Sequence, residues 1–147
     1  MGTRSLTHVF ETYFDSEKDE KVSKKLLTMY RQYDGYPSGM GMDLVNFLKD
    51  GIVVNGISVN ETRKVFNGAG CLSAQLVAHF KTGSGGIYIQ SINDVDCWQD
   101  YEYNIIVDFD SKEIIFECIR TGFEENNEIL FSGNIHDFEK QFEEIVS

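Results

Sequence analysis

Between Tyr30 and Tyr36 the chain places an arginine, a glutamine, an aspartate and three tyrosines in one run, Tyr-Arg-Gln-Tyr-Asp-Gly-Tyr. Arg31 can hold an anion through paired hydrogen bonds, and Arg4 can join it if the first two strands form a hairpin. Tyr33 and Tyr36 can stack on a base, while Gln32 or Asp34 can read its edge or a ribose hydroxyl. The run continues Pro-Ser-Gly-Met-Gly into an apolar helical pattern. Ser38, Gly39 and Gly41 therefore stand where a helix N-terminus offers backbone N–H groups and a positive dipole end to a phosphate or carboxylate. A second entry of this kind is Asn67-Gly68-Ala69-Gly70. Neither is a Walker loop or a dinucleotide fingerprint. The structural alternative is an ion pair from Arg4 or Arg31 to Asp34 that pins the turn, with glycines that only allow it to be tight.

Trp98, the sole tryptophan, lies in a second notable run, Ser91 to Tyr103. It can close a pocket, anchor a contact or fill the core. The carboxylates Asp94, Asp96, Asp100 and Glu102 come without a histidine and match no EF-hand spacing, so no metal and no cofactor is expected. Asp108 and Asp110 end a strand at a turn and read as solvated. His8, His79 and His136 fall in separate elements, and no serine or cysteine has a nucleophile's neighbourhood, so no catalytic residue is assigned.

The elements that position these groups follow from periodicity. Residues 5–11 read as a strand, 15–25 as a charged hairpin tip, and 26–32 as a second, antiparallel strand. That pairing brings Arg4 towards Arg31 and Asp34. Met40, Leu44, Phe47 and Leu48 share a helical face, with Ser38 as its cap and Gly51 as its terminator. The stretch 52–57 reads as a short strand with an Asn-Gly turn, or a loop. A second helix is expected over 71–81, and strands over 86–92, 101–109, 113–120 and 128–132. Tyr103, Ile105 and Val107 fall on one strand face. Asn134 caps a last helix whose apolar face is Phe138, Phe142 and Ile145.

A chain of 147 residues with 41% hydrophobic and 13% aromatic content is a single globular domain, 1–147. The predicted class is α+β: an antiparallel sheet of five or six strands with three helices packed mainly on one face. No apolar run is long enough for a membrane span, no signal core opens the chain, and no Cys-x-x-Cys occurs. A cytoplasmic protein with reduced thiols is expected. The net charge of −11 is uneven: residues 1–81 carry ten Lys/Arg against nine Asp/Glu, residues 82–147 three against fifteen. That balance argues against non-specific nucleic-acid binding and puts any anion site in the N-terminal half.

Gly2-Thr3-Arg4, followed by Tyr30-Arg31-Gln32-Tyr33-Asp34-Gly35-Tyr36-Pro37-Ser38-Gly39-Met40-Gly41, resembles a family of small phage and bacterial proteins of uncharacterised activity. Its members begin Gly-Thr-Arg and carry an aromatic-Asp-Gly-Tyr-Pro-x-Gly-x-Gly turn before a helix. The similarity continues at 98–110, an acidic-aromatic strand ending in Asp-x-Asp. The hairpin at 15–25 is longer than the family's, and the last helix lies outside the resemblance. The resemblance implies a ligand site at this turn without naming the ligand, and a phage setting implies interference with host defence.

The leading expectation is binding without turnover of a phosphate-bearing nucleotide signal, a counter-defence sponge acting in the host cytoplasm. Its ligand-binding residues would be Arg4, Arg31, Gln32, Tyr33, Asp34, Tyr36, Ser38, Gly39, Gly41 and Trp98. A homo-oligomer with a shared pocket is expected. The competing readings are an acidic protein-interaction inhibitor that imitates nucleic-acid charge, and a nucleotide hydrolase using Asp34.

Overall fold

The computed structural model describes residues 2–93, 97–122 and 126–142. Asp94, Asp96 and Ile145 lie outside them. A six-stranded sheet runs in the order β5-β2-β1-β6-β7-β8, and a two-stranded sheet pairs β3 with β4. The strands are β1 (Ser5–Asp15), β2 (Glu20–Arg31), β3 (Ile52–Val54), β4 (Val65–Asn67), β5 (Ile87–Gln90), β6 (Tyr101–Asp108), β7 (Ile114–Arg120) and β8 (Glu128–Gly133). The helices are α1 (Met42–Leu48), α2 (Gly68–Phe80) and α3 (Ile135–Lys140), with a π-helical turn, Pro37–Gly41, leading into α1. This is the expected α+β arrangement. The large sheet is antiparallel except where β1 meets β6, and that parallel pair decides where the site lies. No helix among the described residues is long and apolar enough to cross a membrane.

Strand pleating sets the core. Val9, Leu27, Met29, Tyr103, Ile105, Phe116 and Cys118 are cross-strand partners and so share one sheet face. Met40, Leu44 and Leu48 from the α1 region, Leu72 and Leu76 of α2, and Phe138 of α3 bury themselves in the same cluster. Burial pushes the Cys118 thiol up to about 12, which keeps it an inert core residue. The opposite face carries Leu6, His8 and Thr28, all buried. His8 Nδ1 lies 3.0 Å from Thr28 Oγ1, and its Nε2 lies 3.2 Å from Glu102 Oε1.

Several sequence expectations change here. The charged stretch 15–25 is mostly strand: only 16–19 turn, and Lys21, Lys24 and Lys25 pair with Phe14, Glu11 and Phe10. Lysines on an exposed strand imitate loop composition. A bulge between Val9 and Phe10, opposite Leu26, absorbs one residue of the longer strand. Asp108 is no solvated turn carboxylate. It receives hydrogen bonds from Thr12 Oγ1 (2.9 Å) and the Ser111 N–H (2.9 Å), and Lys21 Nζ sits 2.5 Å away. Burial opposes its charge, yet the bonds from Lys21, Ser111 and Thr12 outweigh that and hold the carboxyl far below the usual aspartate range. Gly51 does not end α1 by a left-handed turn. It is small because the Phe66 ring lies where a Cβ would be, 2.1 Å from Cε2. Asn134 does cap α3, accepting from the Asp137 N–H at 3.0 Å.

Candidate functional site

The bend after β2 is built from bonds to its own neighbours. The Gln32 N–H donates to Gly86 O (2.9 Å), and the Gly86 N–H returns a bond to Gln32 Oε1 (3.1 Å). Gln32 therefore clamps the glycine turn before β5. Asp34 adopts φ 54°, a left-handed conformation that aspartate tolerates. Its carbonyl accepts from the Met40 N–H at 2.8 Å, and its carboxylate accepts from Tyr36 OH at 3.1 Å. That bond to the Asp34 carboxylate raises the Tyr36 hydroxyl above its ordinary value. The Gly35 N–H donates to Thr3 O at 3.0 Å, and the buried Tyr103 hydroxyl donates to Gly35 O at 2.7 Å.

The glycines here serve close packing. A Cβ on Gly39 would fall 2.4 Å from Asp34 O, and one on Gly41 would meet the Tyr103 ring at 3.3 Å. Ser38 is exposed and makes no capping bond, because the chain enters through a π-helical turn whose flanking residue is Tyr36. The expected Ser38-capped helix N-terminus is thus corrected.

Arg31 is a brace. Its Nη1 donates to Asp43 Oδ2 at 2.9 Å and contacts Met40 Sδ at 3.0 Å. The guanidinium lies 5.3 Å from the Tyr33 ring centroid and 5.9 Å from that of Phe80, with 13% of the side chain exposed. Neither expected pairing with Asp34 forms. The partner is Asp43 in the first turn of α1, where a carboxylate also complements the helix dipole.

Arg4 does not join Arg31. Ser5 is the cross-strand partner of Arg31, so those two share the helix-covered face. Arg4 stands just ahead of β1, and its backbone is bonded to Asp100 and Tyr101. The backbones touch, since a Cβ on Gly35 would lie 2.8 Å from the Arg4 carbonyl carbon, but Arg31 pairs with Asp43 while Arg4 lines a cavity of its own. Of the expected site, Gln32, Tyr33, Asp34, Tyr36, Ser38, Gly39 and Gly41 stay with the bend, and Arg4 and Trp98 come together elsewhere.

They meet in a cavity of about 580 Å³ at the end of the sheet where β1 and β6 begin and β7 ends. Its lining includes Arg4, Trp98, Asp100, Tyr101, Arg120 and Thr121. The floor is tied tightly. The Arg4 N–H donates to Asp100 Oδ2 (3.1 Å), and Arg4 O accepts from the Asp100 N–H (2.9 Å) and Tyr101 N–H (3.3 Å). The Thr121 N–H donates to Asp100 O (3.0 Å), and Thr121 Oγ1 to Gln99 O (2.6 Å). Tyr101 faces Arg120 across β6 and β7. Arg120 also forms a surface ion pair with Glu128 at 3.4 Å, with both side chains about half exposed or more. Such a pair is worth little and can yield to a ligand. Trp98 stands at φ 61° with 82% of its surface exposed. A left-handed backbone at a bulky aromatic residue is costly and marks the lip of this cavity as a held conformation.

Sequence reasoning placed Arg4 and Trp98 in the site and missed Asp100, Tyr101, Arg120 and Thr121. The parallel register of β1 with β6 and the antiparallel register of β6 with β7 together bring those four to Arg4, and no local signal announces either. Comparison with known proteins gives no match to a family, to a curated protein or to a solved structure.

Proposed function

We propose that this chain binds a phosphate-bearing nucleotide and holds it without converting it. The observation that carries the reading is the cavity at the sheet end, where two arginines and an exposed tryptophan line about 580 Å³. Arg4 and Arg120 supply planar, permanently charged donors suited to phosphate oxygens. Trp98 supplies a surface on which a base can stack. The volume lies within the range of small-ligand sites. Holding suits the lining better than hydrolysis: its groups donate and stack, and one oxygen of Asp100 is engaged by the Arg4 N–H. In the phage setting that the family resemblance implies, retention of a nucleotide signal would blunt a host defence.

Part of the acidic C-terminal half serves the sheet: Glu102, Glu117 and Asp108 are bound by His8, by Asn104 and Ser132, and by Thr12 and Lys21. The test is mass spectrometry of small molecules released by heating the purified protein, followed by equilibrium dialysis against a nucleotide panel. A retained or bound nucleotide, weakened at least tenfold by Arg4→Ala, is the expected outcome. A panel that fails to bind, or binding indifferent to Arg4→Ala, overturns the reading.

A further inference from the structure

The cavity holds a group that phosphate binding leaves unexplained. Asp100 brings a carboxylate to a lining that otherwise favours anions, and a negative charge beside a phosphate site weakens it. The Arg4 N–H holds Oδ2 at 3.1 Å, which fixes the carboxylate and leaves acceptor capacity on both oxygens. Asp100 is exposed and stands two residues from Trp98 on the same cavity. A base stacked on that indole would present its edge near this carboxylate. Of the common bases, guanine offers two adjacent donors on one edge, the N1–H and an N2 hydrogen, spaced for the two oxygens of a carboxylate. Adenine offers an N1 acceptor at the corresponding place and would meet the charge unfavourably.

We propose that the base recognised in this cavity is guanine, stacked on Trp98 and read by Asp100, with Arg4 and Arg120 directed to the phosphate. This rests on the nucleotide reading above and narrows it to a guanine-bearing ligand. Selectivity by a paired donor–acceptor edge amounts to roughly tenfold or more. Exposure of Asp100 to water places the expectation at the low end of that range.

Trp98 is the sole tryptophan, so its fluorescence reports on this cavity alone. The full chain is titrated with GMP, IMP, AMP, XMP and inorganic phosphate, with equilibrium dialysis in parallel. GMP is expected to bind about tenfold more tightly than AMP. IMP, which keeps N1–H but lacks the N2 amino group, falls between them. Asp100→Asn keeps an oxygen for the Arg4 N–H and adds an amide donor. It is expected to lose the GMP preference and to gain XMP, whose C2 carbonyl accepts that donor. Equal binding of GMP and AMP refutes the guanine assignment and leaves the nucleotide reading standing, as does an Asp100→Asn variant with unaltered GMP preference. Absence of binding by all four nucleotides refutes the guanine assignment, and failure of the wider nucleotide panel as well sinks both. Circular dichroism of Asp100→Asn separates a misfolded variant from a respecified one; if it misfolds, the GMP, IMP and AMP order of the unaltered chain decides.

Discussion

Replacing Arg31 with alanine separates a brace from a ligand clamp. The substitution removes a charge-assisted hydrogen bond to Asp43, worth about 1.5–3 kcal/mol in general. Asp43 is 46% exposed and can rehydrate, so the lower figure applies. It also removes two cation–aromatic contacts, to Tyr33 and Phe80, at about 0.5 kcal/mol each, and two largely buried methylenes at about 0.8 kcal/mol each. Regained side-chain entropy of up to about 2 kcal/mol offsets part of this. The net loss is about 2 kcal/mol, which for a domain of this size lowers Tm by roughly 4–8 °C. Arg4→Ala leaves intact the backbone bonds that Arg4 makes to Asp100 and Tyr101, so its Tm should stay within about 1 °C of the parent. Thermal melts and nucleotide titrations are run on both variants well below either transition. The expected pattern is crossed: Arg31→Ala melts early and binds normally, while Arg4→Ala melts normally and binds poorly. If Arg31→Ala keeps its Tm and loses the ligand, Arg31 belongs to the site and the division of the two arginines is wrong.

Asp108→Asn should lower stability by about 1.5–3 kcal/mol at neutral pH, since hydrogen bonds to a charged acceptor are lost or weakened. The folded-state pKa lies below the unfolded value of about 3.9. The carboxylate's contribution is therefore complete well above pH 4 and is lost as pH falls through and beneath that point. Urea midpoints measured from pH 7 to pH 2 should show a shallower acid decline in Asp108→Asn than in the parent, and parallel curves would contradict the assigned bonds. Gly51→Ala pushes a methyl group into the buried Phe66 ring and should cost about 1–3 kcal/mol in a urea melt. Gly70→Ala, inside α2 with nothing within 4 Å of the new carbon, should stabilise by up to about 1 kcal/mol in the same assay. A Gly51→Ala variant as stable as the parent would show that Phe66 can move aside.

What could be read from the sequence was what has a local period. Tyr103, Ile105 and Val107 alternate, and all three are buried in the core as alternation requires. Asn134 and Asp137 stand three apart and form the cap that spacing predicts. The hairpin was legible as a hairpin but not in its length, because Lys21, Lys24 and Lys25 belong to a strand whose composition matches a solvated turn. The site failed on partners. Grouping Arg4 with Arg31 needs only the knowledge that β1 and β2 are antiparallel, whereas the partner each arginine takes depends on elements far along the chain. Arg31 is taken up by Asp43, Tyr33 and Phe80, while Arg4, just ahead of β1, lines the cavity at the sheet end. There the parallel β1–β6 ladder sets Ser5 beside Tyr101, and β7 returns Arg120 beside Tyr101 in turn. Arg4, Trp98, Asp100 and Arg120, spread over more than a hundred residues of chain, become neighbours through those two registers. A shift of one residue in either ladder would disperse them, so the proposed nucleotide site and the parallel pairing stand or fall together.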